Sequence, residues 1–359
     1  MSVKPPPSLH PQQTQPTPPD RHRHFFEDAP VLSWMTWGTR WIYGSSKDPS
    51  TLPTQLLDQP IHSPTGIQPA STQPSKSREY SEFLRKHFYA ATLPVSLYVP
   101  PSVFEKELKG VELRDKDARL VGVVFCPYAG MYNGDSVGVI TWLCVAPNWR
   151  GKGVTNCLLR AIYKTCQPQK YYLWRNDGWL KSPVPPIHSE SRIVRKRQLL
   201  RTNITASKHM IPVRRVPVAS VRGIWAESWR AQHPKGLFLD DHAWNTHYTE
   251  AWERKLSSTK SIVVFLQPTF EVQRQANESW AEVLGYTVVG PSSLTMSEYE
   301  IAQNIEAILD TTPYQWFEAS KSLPHLEQGW RSAGTTTWCM FGLDPGIPVM
   351  RDVLSVCAF

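Results

Sequence analysis

The stretch Thr141-Trp-Leu-Cys-Val-Ala-Pro-Asn-Trp-Arg-Gly-Lys-Gly-Val-Thr155 carries the residue types that hold a pyrophosphate. An apolar run ends at Val145, helical spacing begins near 152, and two glycines and two basic residues lie between. A helix N-terminus presents unpaired main-chain N–H groups and the positive end of its dipole. Gly151 and Gly153 let the main chain approach a ligand without a Cβ, while Arg150 and Lys152 add charge. Bounded by Val145 on one side and by Val154 and Thr155 on the other, this turn is the expected cofactor-binding segment. The plainer alternative is a surface turn with two glycines and two basic residues.

The elements around the turn favour a built site. An amphipathic helix is expected over 78–91, with Tyr80, Phe83, His87 and Phe88 on one face. Strands are expected at 118–126 and 137–145, a helix at 152–166 with Val154, Leu158, Leu159, Ile162 and Cys166 on one side, and a strand at 170–174. From about 211 a similar series recurs: helices near 218–231 and 241–256, strands at 260–266 and 279–289, and a helix near 296–309. Strands at 313–318, 335–342 and 352–358 close it. The second series has no Arg-Gly-Lys-Gly; its turn reads Val289-Gly-Pro-Ser-Ser-Leu-Thr. Residues 1–77 are rich in Pro, Ser, Thr and Gln and read as a mostly disordered leader with an aromatic arm at 32–44.

Composition bounds the rest. The 359 residues, 41% hydrophobic, suffice for two ordinary domains packed together. The 39 Lys and Arg exceed the 31 Asp and Glu by 8, which suits a polyanionic ligand or a ribosome-like neighbour; no DNA-binding module accompanies it. Much of the excess lies between Arg192 and Arg215, and the run Arg192, Arg195, Lys196, Arg197, Arg201 reads as a solvated strand or loop face. Trp225, Trp229, Trp244 and Trp252 recur at helical spacings and read as packing between the two series. The six cysteines form no C-x-x-C pair and read as reduced core residues, and no metal-ligand motif is present. No apolar run reaches about 18 residues, so a soluble, cytoplasmic monomer without a transmembrane segment is expected. The absence of G-x-S-x-G, H-E-x-x-H and a P-loop argues against serine hydrolase, zinc protease and P-loop chemistry.

The turn resembles the acetyltransferase motif Q/R-x-x-G-x-G/A, matched at Arg150 and Gly153 and departing at Thr155. The order of elements is similar to the GNAT core, which implies an α/β (α+β) fold of two tandem GNAT-like acyl-CoA N-acyltransferase halves. The segments Leu120-Val-Gly-Val-Val-Phe125, Val139-Ile-Thr-Trp-Leu-Cys-Val145 and Arg150-Gly-Lys-Gly-Val154 resemble glycylpeptide N-myristoyltransferase, whose pattern is LVGFI, NFLCV and LRSKRV. The stretch Leu180–Leu200 and the run from Trp316 to Phe341 resemble that family further, so the likeness covers roughly 78–359. It implies a first half at 78–210 binding acyl-CoA (myristoyl-CoA) as co-substrate, and a second half at 211–359 binding a peptide with an N-terminal glycine.

The resemblance also implies roles. The main-chain N–H groups of Trp142 and Leu143 would form an oxyanion hole, and the α-carboxylate of Phe359 would be the base. An ordinary edge strand that happens to come last is the alternative for Phe359. Tyr89, His188 and Gly334 fall on the peptide side; His188 is expected in a Pro-rich loop, where an ordinary surface histidine is the alternative. Two departures bear on the acceptor: Tyr89 is followed by Ala-Ala-Thr-Leu-Pro-Val-Ser where the family has YVEDDD, and GDG appears as Ser332-Ala333-Gly334. A GNAT enzyme using a shorter acyl-CoA, or a degenerate protein that only binds acyl-CoA or a partner, remain as alternatives.

Overall fold

The computed structural model describes residues 60–89, 95–105, 108–132, 135–166, 171–177, 186–198, 212–232, 237–239, 249–274, 277–290, 296–321, 323, 326, 329–342 and 356–358. The leader up to 59, its aromatic arm and Phe359 lie outside these residues.

The chain begins with β1 (Ala70–Ser71), α1 (Ser77–His87), β2 (Val95–Leu97), α2 (Pro101–Phe104), β3 (Gly110–Arg114) and β4 (Leu120–Phe125). It continues through β5 (Tyr128–Tyr132), β6 (Asp135–Val145), α3 (Val154–Thr165), β7 (Tyr171–Asp177) and β8 (Pro186–Lys196). Next come β9 (Val213–Val216), α4 (Val218–Gln232), β10 (Leu237–Leu239), β11 (Glu250–Lys255), β12 (Ser261–Gln273) and β13 (Ser279–Val289). The series ends with α5 (Glu298–Thr311), β14 (Trp316–Ser320), β15 (Arg331–Gly342) and β16 (Val356–Ala358).

One mixed sheet runs through the molecule in the order β1-β3-β4-β6-β7-β15-β8-β14-β13-β12-β11-β9; β10 and β16 form a separate parallel pair. Two parallel units stand out, β6–α3–β7 and β13–α5–β14. Each helix lays an apolar stripe on the sheet, as 3.6-residue spacing requires: Val154, Leu158 and Ile162 in α3, Ile305, Ile308 and Leu309 in α5. At the centre the series exchange strands. β15 pairs with β7, and β8 pairs with β14, so each series extends the other's part of the sheet.

Three expectations change. The helix expected over 241–256 is β11 from Glu250 to Lys255; antiparallel ladders to β9 and β12 on both sides override the helical spacing of Trp244 and Trp252. The segment around His188, expected as a Pro-rich loop, is the long central strand β8. Residues 60–77, expected to be linker, are built into the fold. Ile61 packs on the core beneath α3, and Ala70 pairs with Glu112. The buried Glu112 carboxylate accepts from Lys76 Nζ at 2.9 Å, Tyr80 Oη at 2.8 Å and Arg114 Nε at 3.0 Å, which ties α1 and its lead-in to β3.

Candidate functional site

The strand ahead of the glycine turn is bulged where the oxyanion hole is expected. In the β4–β6 ladder Phe125 faces Thr141 and Val123 faces Cys144, so Val124 alone opposes Trp142 and Leu143. Trp142 has φ +50, a region that costs an L residue about 1–2 kcal/mol. Side-chain packing holds it there: its ring meets those of Phe104, Phe125 and Phe270 at 5.6, 5.8 and 6.0 Å between centroids. The extra residue also switches the facing of the strand. Ile140 packs in the core under α3, Trp142 and Cys144 pack on the opposite face with α1, and Leu143 and Val145 return to the α3 side.

The bulge sits where two parallel strands part. The β6–β7 register runs from Val137↔Tyr171 to Ile140↔Trp174, and β7 continues to Asp177 paired with β15 on its other edge. A bulge beside such a split aims main-chain N–H groups out of the ladder direction, the arrangement that stabilises an oxyanion without any side chain.

The turn that follows has left-handed glycines and an uncapped helix end, a geometry that can receive an anion. Gly151 and Gly153 have φ +74 and +81, and Gly153 is the N-cap of α3. Among the described residues no side chain caps that helix and its first turn holds no acid, so Val154 and Thr155 open a helix whose N-terminal charge is left to a ligand or solvent. Among the described residues a Cβ at Gly151 would meet nothing within 4 Å, so the turn is open at that position. Thr155 is exposed, so its bulk relative to Gly or Ala meets no packing. Lys152 is exposed, with Nζ 5.1 Å from the centre of the Trp149 ring. Arg150 departs from the expectation of a free phosphate ligand: its Nε donates to the Val145 carbonyl at 3.0 Å and its Nη2 to the His87 carbonyl at 2.6 Å. Burial, with Lys86 and Arg150 nearby, holds the His87 imidazole below its ordinary range, and burial pushes the Cys144 thiol up to about 12. A thiol held that high stays protonated near neutrality and is a poor nucleophile.

The expected acceptor residues divide in two. Tyr89 stacks edge-on to Phe88 at 5.0 Å and belongs to the cluster that holds Trp142. Gly334, at φ +107, is the register partner of Arg192, and His188 is the partner of Trp338, whose other neighbour is Arg175. One group therefore gathers on β6 and the other on β8 and β15, with β7 between them. β16 ends at Ala358, paired to β10, and β10 lies beside β5, the hairpin partner of β6.

Sequence reasoning missed a four-charge network beside Gly334. Arg192, 3% exposed, donates to Glu282 at 2.6 Å and Glu318 at 2.9 Å, and Arg175 Nη1 donates to Glu282 at 2.8 Å. Burial pushes the Glu282 carboxyl up, but the Arg175 and Arg192 charges and their hydrogen bonds more than offset it, holding it at about 2. β7 and β13 are four strand steps apart, roughly 19 Å on a flat sheet, so the sheet bends toward this face for Arg175 to reach Glu282. Arg195 is buried on the other face against Glu306 and Asp310 of α5. The basic run is therefore not the solvated face expected from its charge; two of its guanidiniums are neutralised inside the protein. No local signal marked this, because the partner carboxylates lie 90 to 126 residues away.

The second series repeats the geometry and closes it. Phe265 faces Gly285 and Leu266 faces Val283, so Leu284 is an extra residue, and the β13–β14 register stops at Val283↔Ala319. Here the Trp225 indole, 1% exposed, fills the cleft: a Cβ on Gly285 would lie 2.8 Å from its Nε1. The N-terminus of α5 is satisfied by a capping box between Ser297 and Glu300, with Glu298 adding a second acid.

No family model matches the chain, and no curated protein matches it. Among solved structures it is similar to Saccharomyces cerevisiae N-myristoyltransferase with bound myristoyl-CoA, at 12% identity and TM-score 0.57, covering 81% of this chain and 82% of that one. A second structure of the yeast enzyme, with bound myristoyl-CoA and inhibitors, gives 12% identity and TM-score 0.58 over 82% and 84% of the two chains. A third gives 13% and 0.54 over 80% and 86%. The chain has the N-myristoyltransferase fold. Among the described residues no helix is long and apolar enough to cross a membrane.

Proposed function

We propose that this protein is an acyl-CoA-dependent N-acyltransferase that moves a long-chain acyl group, myristoyl, to the N-terminal glycine of a protein. The observation that carries the reading is the Trp142–Leu143 bulge directly ahead of an uncapped, glycine-flanked helix N-terminus. The yeast structures with this fold hold myristoyl-CoA, which favours a long chain over acetyl. The first half, 78–210, would hold the donor, its phosphates on the main chain of Gly151 to Thr155 with Lys152 adding charge.

The glycine ammonium would give a proton to the α-carboxylate of Phe359, whose ordinary pKa of about 3.5 must be raised by burial for it to act as a base. The free amine then attacks the thioester carbon. The oxyanion is stabilised by the Trp142 and Leu143 N–H groups until the C–S bond breaks; the extra proton on the attacking nitrogen passes to the departing sulfur, and coenzyme A leaves as the thiol. Because those donors are main-chain, Trp in place of the family's Phe is no obstacle. Tyr89, His188 and Gly334 would face the acceptor, and the enzyme would work as a cytoplasmic monomer.

The test is incubation with myristoyl-CoA and a broad set of Gly-initiated peptides, read by mass spectrometry. A gain of one tetradecanoyl group is expected, and acyl-CoA donors of decreasing chain length should compete progressively less well. No acylation of any peptide refutes the proposal.

A further inference from the structure

Arg150 has the charge to bind a phosphate, but two arms of its guanidinium are engaged by carbonyls of the protein. Nε donates to the carbonyl of Val145, the last residue of β6, three positions after Trp142. Nη2 donates to the carbonyl of His87, the last residue of α1. Phe88 and Tyr89 follow at once and pack in the cluster that contains Trp142. One guanidinium thus joins the end of the bulged strand, the glycine turn and the C-terminus of α1. Its charge also sits where the α1 carbonyls gather, which is the favourable end of that helix for a cation.

We propose that Arg150 is a positioning residue. It fixes the spacing between the turn that would hold the phosphates and the bulge that would receive the thioester oxygen, and it braces both against α1. A rigid planar fork suits two carbonyls at set angles, and a lysine ammonium does not replace it. The turnover part of this inference rests on the acyl-CoA reading given above; the bracing part stands without it.

Two measurements on Arg150→Lys and Arg150→Gln decide the matter. The first compares acyl-CoA with acyl-pantetheine, which has the same thioester but neither phosphates nor adenosine. Positioning predicts that kcat/KM falls on the order of 10- to 100-fold with both donors, the scale of a 1 Å misplacement, and that Lys does not rescue. A loss confined to acyl-CoA, or rescue by Lys, would make Arg150 a phosphate ligand and overturn the proposal. The second is hydrogen exchange on the ligand-free protein. In Arg150→Gln the amides closing α1, such as Phe88 N–H on the Leu84 carbonyl at 2.9 Å, should exchange faster than in the wild type, and unchanged protection overturns the brace. If the wild type turns over neither donor, the acyltransferase reading falls and the exchange result alone decides whether Arg150 is a brace.

Discussion

Replacing Arg192 by Met removes the more deeply buried of the two guanidiniums that bridge Glu282 and Glu318, which are register partners on the adjacent parallel strands β13 and β14. Arg175 is then shared between two carboxylates, at 2.8 Å and 3.5 Å. In the wild type the Glu282 carboxyl is held at about 2 against an ordinary 4.5, which at about 1.4 kcal/mol per pH unit is worth about 3–4 kcal/mol. Because its folded value is depressed, that contribution is complete above pH 4.5 and is lost as the pH falls from 4.5 toward about 2. In Arg192→Met the carboxyl remains buried with only the Arg175 charge to offset burial, so it titrates higher than in the wild type. Less of its stabilising effect is then present at neutral pH, and correspondingly less is lost as the pH falls. Breaking a buried pair on one side costs about 3–5 kcal/mol. The urea midpoint at pH 8 should therefore drop by roughly 1 M or more, and the gap to the wild type should narrow as the pH is lowered through 4.5 toward about 2. Adding Glu282→Gln to the variant should restore part of the loss at pH 8. A gap that does not narrow as the pH falls below 4.5, or a variant as stable as the wild type at pH 8, would refute the argument that charge balance holds this network together.

Leu143→Pro deletes one N–H of the bulge and should lower kcat by on the order of 10²–10³, while Trp142→Phe should keep kcat within about tenfold because it leaves both main-chain donors in place. Steady-state rates, with circular dichroism to verify folding, distinguish them, and equal losses would argue against main-chain donors. Gly153→Ala places a Cβ on a residue at φ +81, a strain of about 1–2 kcal/mol, and calorimetry should report weaker binding of coenzyme A; an unchanged Kd would separate the turn from the phosphates. Trp225→Ala empties the cleft of the second series, and denaturant unfolding should show a loss of about 3–5 kcal/mol, with a much smaller loss meaning that the indole is not the filler.

What could be seen in the sequence was whatever a short window contains. The turn from Arg150 to Gly153, the stripe of α3, and strand β13, expected and found at 279–289, depend on neighbours within one or two helical turns. The bulge left no such trace, because Trp142, Leu143, Cys144 and Val145 form an unbroken apolar run in which a change of facing produces no polar residue. It exists only as an offset against Val123 and Phe125 on another strand. For β8 the window was misleading: arginines that look solvated in a run are buried because sheet closure brings carboxylates from β13, β14 and α5 onto both faces. β11 failed for a related reason, since two neighbouring strands decide its backbone whatever its tryptophan spacing suggests.

The two helix N-termini show how much chemistry a few local residues decide once the fold repeats. Both follow a bulged strand, and both lie at a split between parallel strands. Ahead of α3 the chain spends glycines, which supply left-handed φ and no side-chain acceptor, so the helix end remains electrically open. Ahead of α5 it spends Ser297 and Glu300, which satisfy the same N–H groups internally and add negative charge, and a tryptophan from α4 occupies the cleft beyond. The absence of Arg-Gly-Lys-Gly is thus the weaker half of the argument against a phosphate in the second series. The stronger half is positive, because S-x-x-E ahead of an amphipathic helix states in sequence that its N-terminus is already taken. A phosphate brought there would have to displace a formed capping box and approach two carboxylates, whereas at α3 it meets open space and uncancelled dipole.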